Sequence, residues 1–303
     1  MIQENLGDTL RKTAHHLFHS GTEMFEYIPK YGHSLPSMDN LKEIVELLRA
    51  ILFPGYFGKT ITKTPSLTTS TDDNLVQLYE LLFEQVHNGL CFNLKEDSEE
   101  VKVRVGQMTL DFIQSIPEIR RLLSTDVRAT YNADPAAKNI EEIIFCYPTI
   151  RAMINHRFAH QLLKLQVPLL PRIISEMAHS ETGIDIHPGA VIGEYFCIDH
   201  GTGVVIGETC IIGNNVRLYQ GVTLGAKKFS LDDSGNPLKD EQRHPIIEDN
   251  VVIYSNANIL GRVVVGKNSV IGGNVWITND VPANSKITQA KVVQEHFFFG
   301  SGI

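Results

Sequence analysis

The sequence predicts an α+β protein with an all-helical N-terminal domain, a parallel β-helix and a short C-terminal tail. Two observations support this fold class. Apolar residues follow a 3.6-residue period up to about residue 180, and from residue 184 an aliphatic residue recurs every six positions. The expected boundaries are 1–183 for the helical domain, 184–282 for the β-helix and 283–303 for the tail.

Each helix of the first domain is predicted from an apolar stripe on one face. Residues 40–52 and 72–92 repeat leucine, isoleucine and valine at helical spacing. A third helix is expected to begin at Ser98 and to end at Pro117, because proline lacks the N–H that the next turn needs. The remaining expected elements are helices over 141–145 and 150–165 and a Gly/Pro/Thr-rich loop over 53–71.

The six-residue repeat indicates a three-sided prism, in which each hexad forms one short strand and one corner. Three hexads complete a coil of about 18 residues, and successive coils pair as parallel strands. The aliphatic residue fills the axis, and a small residue four positions later packs at the corner. Glycines that follow the aliphatic residue are expected to give the corners their backbone freedom. The aliphatic positions are Ile186, Ile192, Ile198, Ile206, Ile212, Leu218, Leu224, Ile247, Ile253, Ile259, Val265, Ile271 and Ile277.

Composition excludes several classes of function. The formal net charge is −8 without a Lys/Arg-rich block, which argues against a nucleic-acid partner. We expect no membrane span, because no apolar run approaches the roughly 18 residues a spanning helix needs, and the polar N-terminus lacks the apolar core of a signal peptide. Single cysteines without metal-ligand spacing favour reduced thiols in a cytoplasmic protein without a metal; they are Cys91, Cys146, Cys197 and Cys210.

Three histidines lie where the repeat begins, slips or resumes. His187 follows the first hexad, in DIHPGAVIG. His200 stands in IDHGTGVVIGET, where the register slips by two residues, and such a slip re-aims a side chain. His244 ends a long insertion, in RHP. These positions make the histidines candidates for chemistry rather than for packing.

These motifs, with VTLG, ILG and the ADPAA element around Asp134, resemble the serine O-acetyltransferases. The match covers about residues 130–280. The resemblance implies a left-handed parallel β-helix and an acetyl-CoA-dependent enzyme without a metal. It implies transfer of the acetyl group to the L-serine hydroxyl, giving O-acetyl-L-serine for cysteine biosynthesis by direct transfer in a ternary complex.

The same resemblance implies a role for each candidate residue. A neutral imidazole removes a hydroxyl proton near pH 7, and a carboxylate behind it fixes the tautomer. His200 is thereby the expected general base and Asp185 its partner, although a cap before the first coil is an alternative role for Asp185. Each charged group of the substrate is matched by residues of opposite charge. Asp134 and Asp199 are expected to bind the ammonium group of serine, and Arg243 and His244 its carboxylate.

Acetyl-CoA is expected along the prism wall, near Gly225, Ala226, Ser255 and Ala257. Ala226 stands where the family usually has glycine, and IYSNANILG replaces small residues of the family pattern. Lys227 and Lys228, in the insertion, either meet the CoA phosphates or are solvated charges.

The repeat also predicts an assembly. His200 lies near the corner after the third face and Arg243 near the corner after the first, so one prism cannot easily bring them together. A site between subunits is expected, and the family forms homotrimers, alone or as a dimer of trimers. The resemblance further implies inhibition by L-cysteine and binding of cysteine synthase through the C-terminal Ile303, against the alternative of a terminus that binds nothing.

Three other functions compete with this interpretation. Another hexapeptide acyltransferase would share the prism and a histidine but is not expected to combine all these motifs. A β-helical carbonic anhydrase needs three histidines on zinc, and the repeat region has no HxxxxH. A scaffold that only binds a partner would have no need for His200, Asp185, Asp134 and Arg243 together.

Overall fold

The computed structural model describes residues 2–19, 34–58, 64–94, 97–228, 230–239 and 241–289. Helices come first along the chain and short parallel strands follow, so the predicted fold class is confirmed. Among the described residues no helix is both long and apolar enough to cross a membrane. The helices are α1 (Ile2–His19), α2 (Met38–Leu52), α3 (Thr64–Leu94), α4 (Glu99–Ala133), α5 (Ile140–Cys146), α6 (Pro148–Lys164) and α7 (Leu170–Thr182).

Two expected helix boundaries are wrong. Helix α4 begins after Ser98, whose Oγ accepts from the Val101 N–H, but it continues through Pro117 to Ala133. Buried apolar side chains lie on both sides of the proline, and their burial outweighs its cost of roughly 3 kcal/mol. Helix α3 begins at Thr64, inside the segment expected to be a loop.

The strands form three parallel sheets, one for each face of the prism. The first face has the order β1-β4-β7-β10-β13, the second β11-β8-β5-β2 and the third β14-β12-β9-β6-β3. We name the first corner between faces one and two, the second between two and three, and the third between three and one. The strands are β1 (Asp185–Ile186), β2 (Val191–Ile192), β3 (Cys197–Asp199), β4 (Val205–Ile206), β5 (Ile211–Ile212), β6 (Arg217–Tyr219), β7 (Thr223–Gly225), β8 (Ile246–Ile247), β9 (Val252–Ile253), β10 (Asn258–Leu260), β11 (Val264–Val265), β12 (Val270–Ile271), β13 (Trp276–Ile277) and β14 (Lys286–Ile287).

The β-helix continues past the expected end at residue 282. Strand β14 pairs with β12, with Lys286 opposite Val270 and Ile287 opposite Ile271. The aliphatic hexad positions are buried along the axis, as the repeat predicts. The expected tail therefore contributes one strand, and its residues beyond 289 lie outside the described part.

Asparagine, not the glycine that follows the aliphatic hexad residue, has the left-handed backbone at many of the described corners. Asn215, Asn250, Asn268 and Asn284 all have φ near +60° at the second corner, and their side-chain amides form a ladder of hydrogen bonds. Glycines after the aliphatic residue serve close approach instead: a Cβ on Gly213 would lie 2.4 Å from a carboxylate oxygen in the coil above. The expectation about glycine is thus corrected, because stacking distance rather than backbone freedom requires it.

A buried ion pair joins the helical domain to the first coil. Arg157 of α6 donates from Nε and Nη2 to the two carboxylate oxygens of Asp126 of α4, at 2.7 and 2.9 Å. The same guanidinium donates to the Gly193 carbonyl at 2.9 Å, and Asp126 accepts from the Phe196 N–H at 3.1 Å. Both charges are satisfied by partners from both domains, so the pair fixes how the helices lie against the prism.

Candidate active site

His200 occupies the loop at the third corner where the hexad register slips. The loop has left-handed backbone at His200, Gly201 and Gly203, with φ of 58°, 89° and 78°. This conformation turns the imidazole outward, and its side chain is 76 % exposed. Asp199 ends strand β3 beside it, with Oδ1 4.0 Å from His200 Nε2. The register slip therefore presents a histidine and a carboxylate to solvent at one corner.

Asp134 lies close to the same corner, although it comes from the helical domain. It follows the last residue of α4 and accepts from the Tyr147 hydroxyl at 2.5 Å and from the Ala136 N–H at 2.8 Å. The Tyr147 hydrogen bond is the main reason why the pKa of Asp134 is lowered, and the charge of His200 adds to it. The same bond raises the pKa of Tyr147 to about 12. Asp134 is therefore a fixed anionic group beside His200.

Asp185 lies near the third corner but does not reach His200. The loop of His200 packs on the chain that precedes β1, where Gly203 N–H donates to the Gly183 carbonyl at 2.8 Å. Neither ring nitrogen of His200 lies within 4.0 Å of the Asp185 carboxylate in the described chain. Ligand atoms of Asp185, Glu176 and His179 instead lie within 4.8 Å of one another. The structure thus brings His200 together with Asp199 and Asp134 rather than with Asp185.

Arg243 and His244 lie at the first corner, where the insertion ends. Arg243 Nη2 donates to a carboxylate oxygen of Glu208 at 2.5 Å, and Nη1 donates to the Glu241 carbonyl at 3.1 Å. Nη2 is thereby already paired with one carboxylate. A second carboxylate that approaches Arg243 must share the guanidinium with Glu208 or displace it.

Thr209 holds His244 in one tautomer. Its hydroxyl oxygen accepts from the N–H groups of Arg243 and His244, at 3.0 and 3.2 Å. The His244 Nδ1 accepts from the Thr209 N–H at 3.1 Å and lies 2.9 Å from the Thr209 hydroxyl. A backbone N–H always donates, so Nδ1 carries no proton and the neutral ring carries it on Nε2.

His244 stays uncharged at neutral pH. Burial, followed by the charge of Arg243, lowers its pKa to about 4. A neutral ring offers a carboxylate a hydrogen bond from Nε2–H and no ionic charge. Of the two residues, only Arg243 supplies positive charge at this corner.

Close stacking places the His244 ring directly over Gly207. A Cβ on Gly207 would lie 2.0 Å from His244 Cδ2 and 2.2 Å from Nε2, which no side chain tolerates. The first corner therefore requires glycine here for space, since the φ of Gly207 is not left-handed.

The four residues that are expected to contact acetyl-CoA differ in their exposure to solvent. Gly225 ends β7 and Ala226 follows it at the first corner, whereas Ser255 lies at the third corner; all three are partly exposed. Ala257 is wholly buried, with its N–H donated to the Tyr254 carbonyl and its own carbonyl accepting from Thr223. Ala257 therefore cannot contact a bound molecule, because its side chain packs inward at the corner.

Tyr147, Thr209 and Glu208 are functional candidates that the sequence patterns did not single out. Tyr147 is separated from Asp134 by a whole helix, so no spacing rule connects them. Thr209 and Glu208 end the IDHGTGVVIGET motif, and their place in this motif was the one signal in the sequence that pointed to them.

Burial raises the pKa of the Cys197 and Cys210 thiols to about 11 and 12, so neither is a ready nucleophile.

A family model described as bacterial transferase hexapeptide (six repeats) matches residues 244–279. A plasmid-encoded serine acetyltransferase of Synechococcus elongatus is 50 % identical over 277 residues, covering 89 % of this chain and 87 % of the relative.

Two solved structures share the fold over most of the chain. Serine acetyltransferase 1 of Entamoeba histolytica in complex with L-cysteine is 34 % identical with a TM-score of 0.72, and covers 94 % of this chain and 100 % of that chain. Soybean serine acetyltransferase complexed with serine is 27 % identical with a TM-score of 0.54, and covers 85 % of this chain and 100 % of that chain.

Proposed function

Since the chain belongs to the serine acetyltransferase family, and is thus an acetyl-CoA-dependent O-acetyltransferase, we propose that it acetylates the L-serine hydroxyl with His200 as the general base. The observation that carries this role is the outward-turned imidazole at the register slip, flanked by Asp199 and Asp134. A base must be reachable by the hydroxyl it deprotonates, and His200 is the most exposed of the three histidines of the prism.

The charges around His200 suit one orientation of serine. Asp134 and Asp199 place two carboxylates beside the imidazole, where they bind the substrate ammonium group. Arg243 takes the substrate carboxylate, with a hydrogen bond from the neutral His244 ring. With both ends held, the hydroxyl faces His200, which takes its proton as the oxygen attacks the thioester carbonyl of acetyl-CoA. The C–S bond then breaks, the acetyl group stays on the serine oxygen, and the CoA thiolate leaves and takes up the proton from His200.

We assign the orientation of the imidazole to Asp185 rather than to Asp199. The ring of His200 is exposed and no packing fixes its rotamer, so it can turn toward β1 when the substrates bind. This leaves Asp199 and Asp134 for the ammonium group. Asp185→Asn is then expected to lower kcat, whereas Asp199→Asn is expected to raise the KM for serine; the reverse pattern would exchange the two roles.

Acetyl-CoA binds along the third corner, with its thioester at His200. Ser255 lies at the same corner two coils away, at a stacking distance of about 5 Å per coil. Gly225 and Ala226 are partly exposed at the other edge of the first face. Transfer is direct within the ternary complex, because the buried thiols at the first coils are held protonated and no covalent intermediate is needed.

The complete site forms between two subunits of a homotrimer. His200 lies at the third corner and Arg243 at the first, and the strands of the first face separate them. The outer surface of the second face offers an interface: Val191 and Ile211 stack in register there, exposed, followed by Ile246 and Val264. A row of outward aliphatic side chains is costly in water and favours burial against another chain.

The rate of CoA release from acetyl-CoA, measured with different acceptors and variants, tests both the substrate and the role of His200. L-serine is expected to react, and L-homoserine and sugars to react far more slowly. His200→Ala is expected to lower kcat by roughly 10²–10⁴-fold with little change in acetyl-CoA binding. Near-normal turnover by this variant would overturn the assignment of the base.

Mixed trimers test the shared site. His200→Ala and Arg243→Ala chains are each expected to be inactive, and an equal mixture reassembled together is expected to regain activity. If each site takes His200 from one chain and Arg243 from its neighbour, about a quarter of the sites contain both native residues. No recovery would show that one chain supplies both, and each variant reassembled with itself is the control.

Two further properties are proposed from the family resemblance. L-cysteine competes with L-serine, since it offers the same ammonium and carboxylate groups, and the Entamoeba histolytica enzyme was solved with L-cysteine bound. Cysteine synthase is bound through Ile303, which lies outside the described residues. Deleting Ile303 should abolish co-migration with cysteine synthase on gel filtration and leave acetyl transfer intact.

A further inference from the structure

We propose that the helical domain carries a zinc site formed by His87, Cys91 and Asp97, far along the chain from the acetyl-transfer site. The three side chains point at a common volume between the end of α3 and the start of α4. Their possible ligand atoms, a ring nitrogen, a sulfur and a carboxylate oxygen, all lie within 4.8 Å of one another.

The distances match those between the ligands of a tetrahedral zinc ion. Cys91 Sγ lies 3.4 Å from His87 Nε2, and Asp97 Oδ1 lies 3.0 Å from the same nitrogen. With Zn–N and Zn–O near 2.0 Å and Zn–S near 2.3 Å, a tetrahedron places nitrogen and sulfur about 3.5 Å apart and nitrogen and oxygen about 3.3 Å apart. Small movements therefore suffice to bring all three atoms to one ion.

This arrangement is not that of a nucleophilic cysteine triad. In a triad the acid and the nucleophile bind opposite nitrogens of the histidine, but here both Cys91 and Asp97 approach Nε2. A shared cation requires its ligand atoms to surround one point, and the three possible ligand atoms here lie within 4.8 Å of one another. The mixed nitrogen, sulfur and oxygen set suits Zn²⁺, whereas Mg²⁺ and Ca²⁺ prefer oxygen ligands alone.

The backbone holds the three residues in place. His87 and Cys91 are four residues apart on α3, so they share one helix face. The Phe83 ring lies parallel to the His87 ring, with an interplanar angle of 7°. Asp97 immediately precedes Ser98, the side-chain cap of α4, so its position follows from the cap. A bound ion thus ties α3 to α4.

Burial and charge also suit the site. The Cys91 side chain is buried, which shields a thiolate–zinc bond, and Asp97 is half-exposed, which leaves an entry path. The nearby Lys102 ammonium donates to Glu99 at 2.7 Å, so its charge is already paired. Binding of Zn²⁺ forms the Sγ–zinc bond and releases the thiol proton to solvent.

The test measures Zn²⁺ itself. Competition against a chromogenic chelator is expected to give one tight Zn²⁺ per wild-type chain and no tight Mg²⁺. Asp97→Asn and Cys91→Ser are expected to weaken the affinity at least about tenfold. Asp97→Asn changes a half-exposed group and should fold normally, as circular dichroism and serine acetylation would verify. Substitution with Co²⁺ should give thiolate-to-cobalt charge-transfer absorption that is lost in Cys91→Ser.

Matched control variants test whether other possible metal ligands of the chain are responsible for the Zn²⁺ binding. His179→Ala changes the cluster with Glu176 and Asp185, and Cys146→Ser removes an exposed thiol elsewhere. A double variant of His15 and His16 removes ring nitrogens on α1. All three should keep the wild-type Zn²⁺ affinity and the cobalt spectrum. Absence of tight Zn²⁺, or an affinity unchanged in Asp97→Asn and Cys91→Ser, would overturn the proposal.

Discussion

Gly207→Ala is expected to damage serine binding by moving one ring. The added Cβ would lie 2.0 Å from His244 Cδ2, whereas real contacts of a Cβ essentially never fall under 3.0 Å. The His244 ring must therefore retreat by at least about 1 Å. Gly207 has no left-handed φ, so the substitution changes space and not backbone conformation.

The size of the effect follows from the hydrogen bonds that a 1 Å movement breaks. His244 Nδ1 lies 3.1 Å from the Thr209 nitrogen and 2.9 Å from its hydroxyl, and retreat to about 4 Å breaks both contacts. The displaced ring also loses the proposed Nε2–H hydrogen bond to the substrate carboxylate, and a hydrogen bond to a charged group is worth about 1.5–3 kcal/mol. Because 1.4 kcal/mol corresponds to a tenfold change, kcat/KM for serine should fall by roughly 10–100-fold.

Steady-state kinetics with each substrate varied in turn distinguishes this mechanism from general damage. The KM for acetyl-CoA should stay within about twofold, since the proposed position of the thioester is at the other corner. Gly106→Ala is the matched control, because its Cβ would meet only the Phe83 ring, at 3.9 Å. Unchanged kcat/KM for serine in Gly207→Ala would refute the proposed contact between His244 and the substrate carboxylate.

Three further predictions concern single groups. Tyr147→Phe removes the main hydrogen bond of Asp134, so the KM for serine should rise about tenfold with kcat nearly unchanged. Asp126→Asn leaves the buried Arg157 without its partner charge and should lower the free energy of unfolding by about 3–5 kcal/mol, measured by urea denaturation at one chain concentration. The folded pKa of His244, about 4, is below the unfolded value of about 6.5, so unfolding takes up a proton between them. The free energy of unfolding should therefore be highest above about pH 6.5 and should fall as the pH decreases toward 4. The fall should be less steep in His244→Asn.

The periodicity of the sequence determined the β-helix and its corners. A six-residue repeat directs the same side chain to the axis in every coil, so the stacking follows from local spacing alone. The position of His200 was predictable for the same reason, because a slip in a strict repeat marks where the chain leaves the wall. Helix α4 shows the limit of local rules: Pro117 is unfavourable by itself, but packing on both sides keeps it helical.

Tertiary structure alone decided which groups meet and in which charge state. Tyr147 reaches Asp134 across an intervening helix, and the neutral state of His244 depends on burial and on Thr209, 35 residues earlier in the chain. The sequence had suggested no metal-ligand spacing, yet Asp97, which precedes α4, lies 3.0 Å from a ring nitrogen of His87 on the preceding helix. These contacts depend on the relative placement of whole elements, which the period of a sequence does not encode.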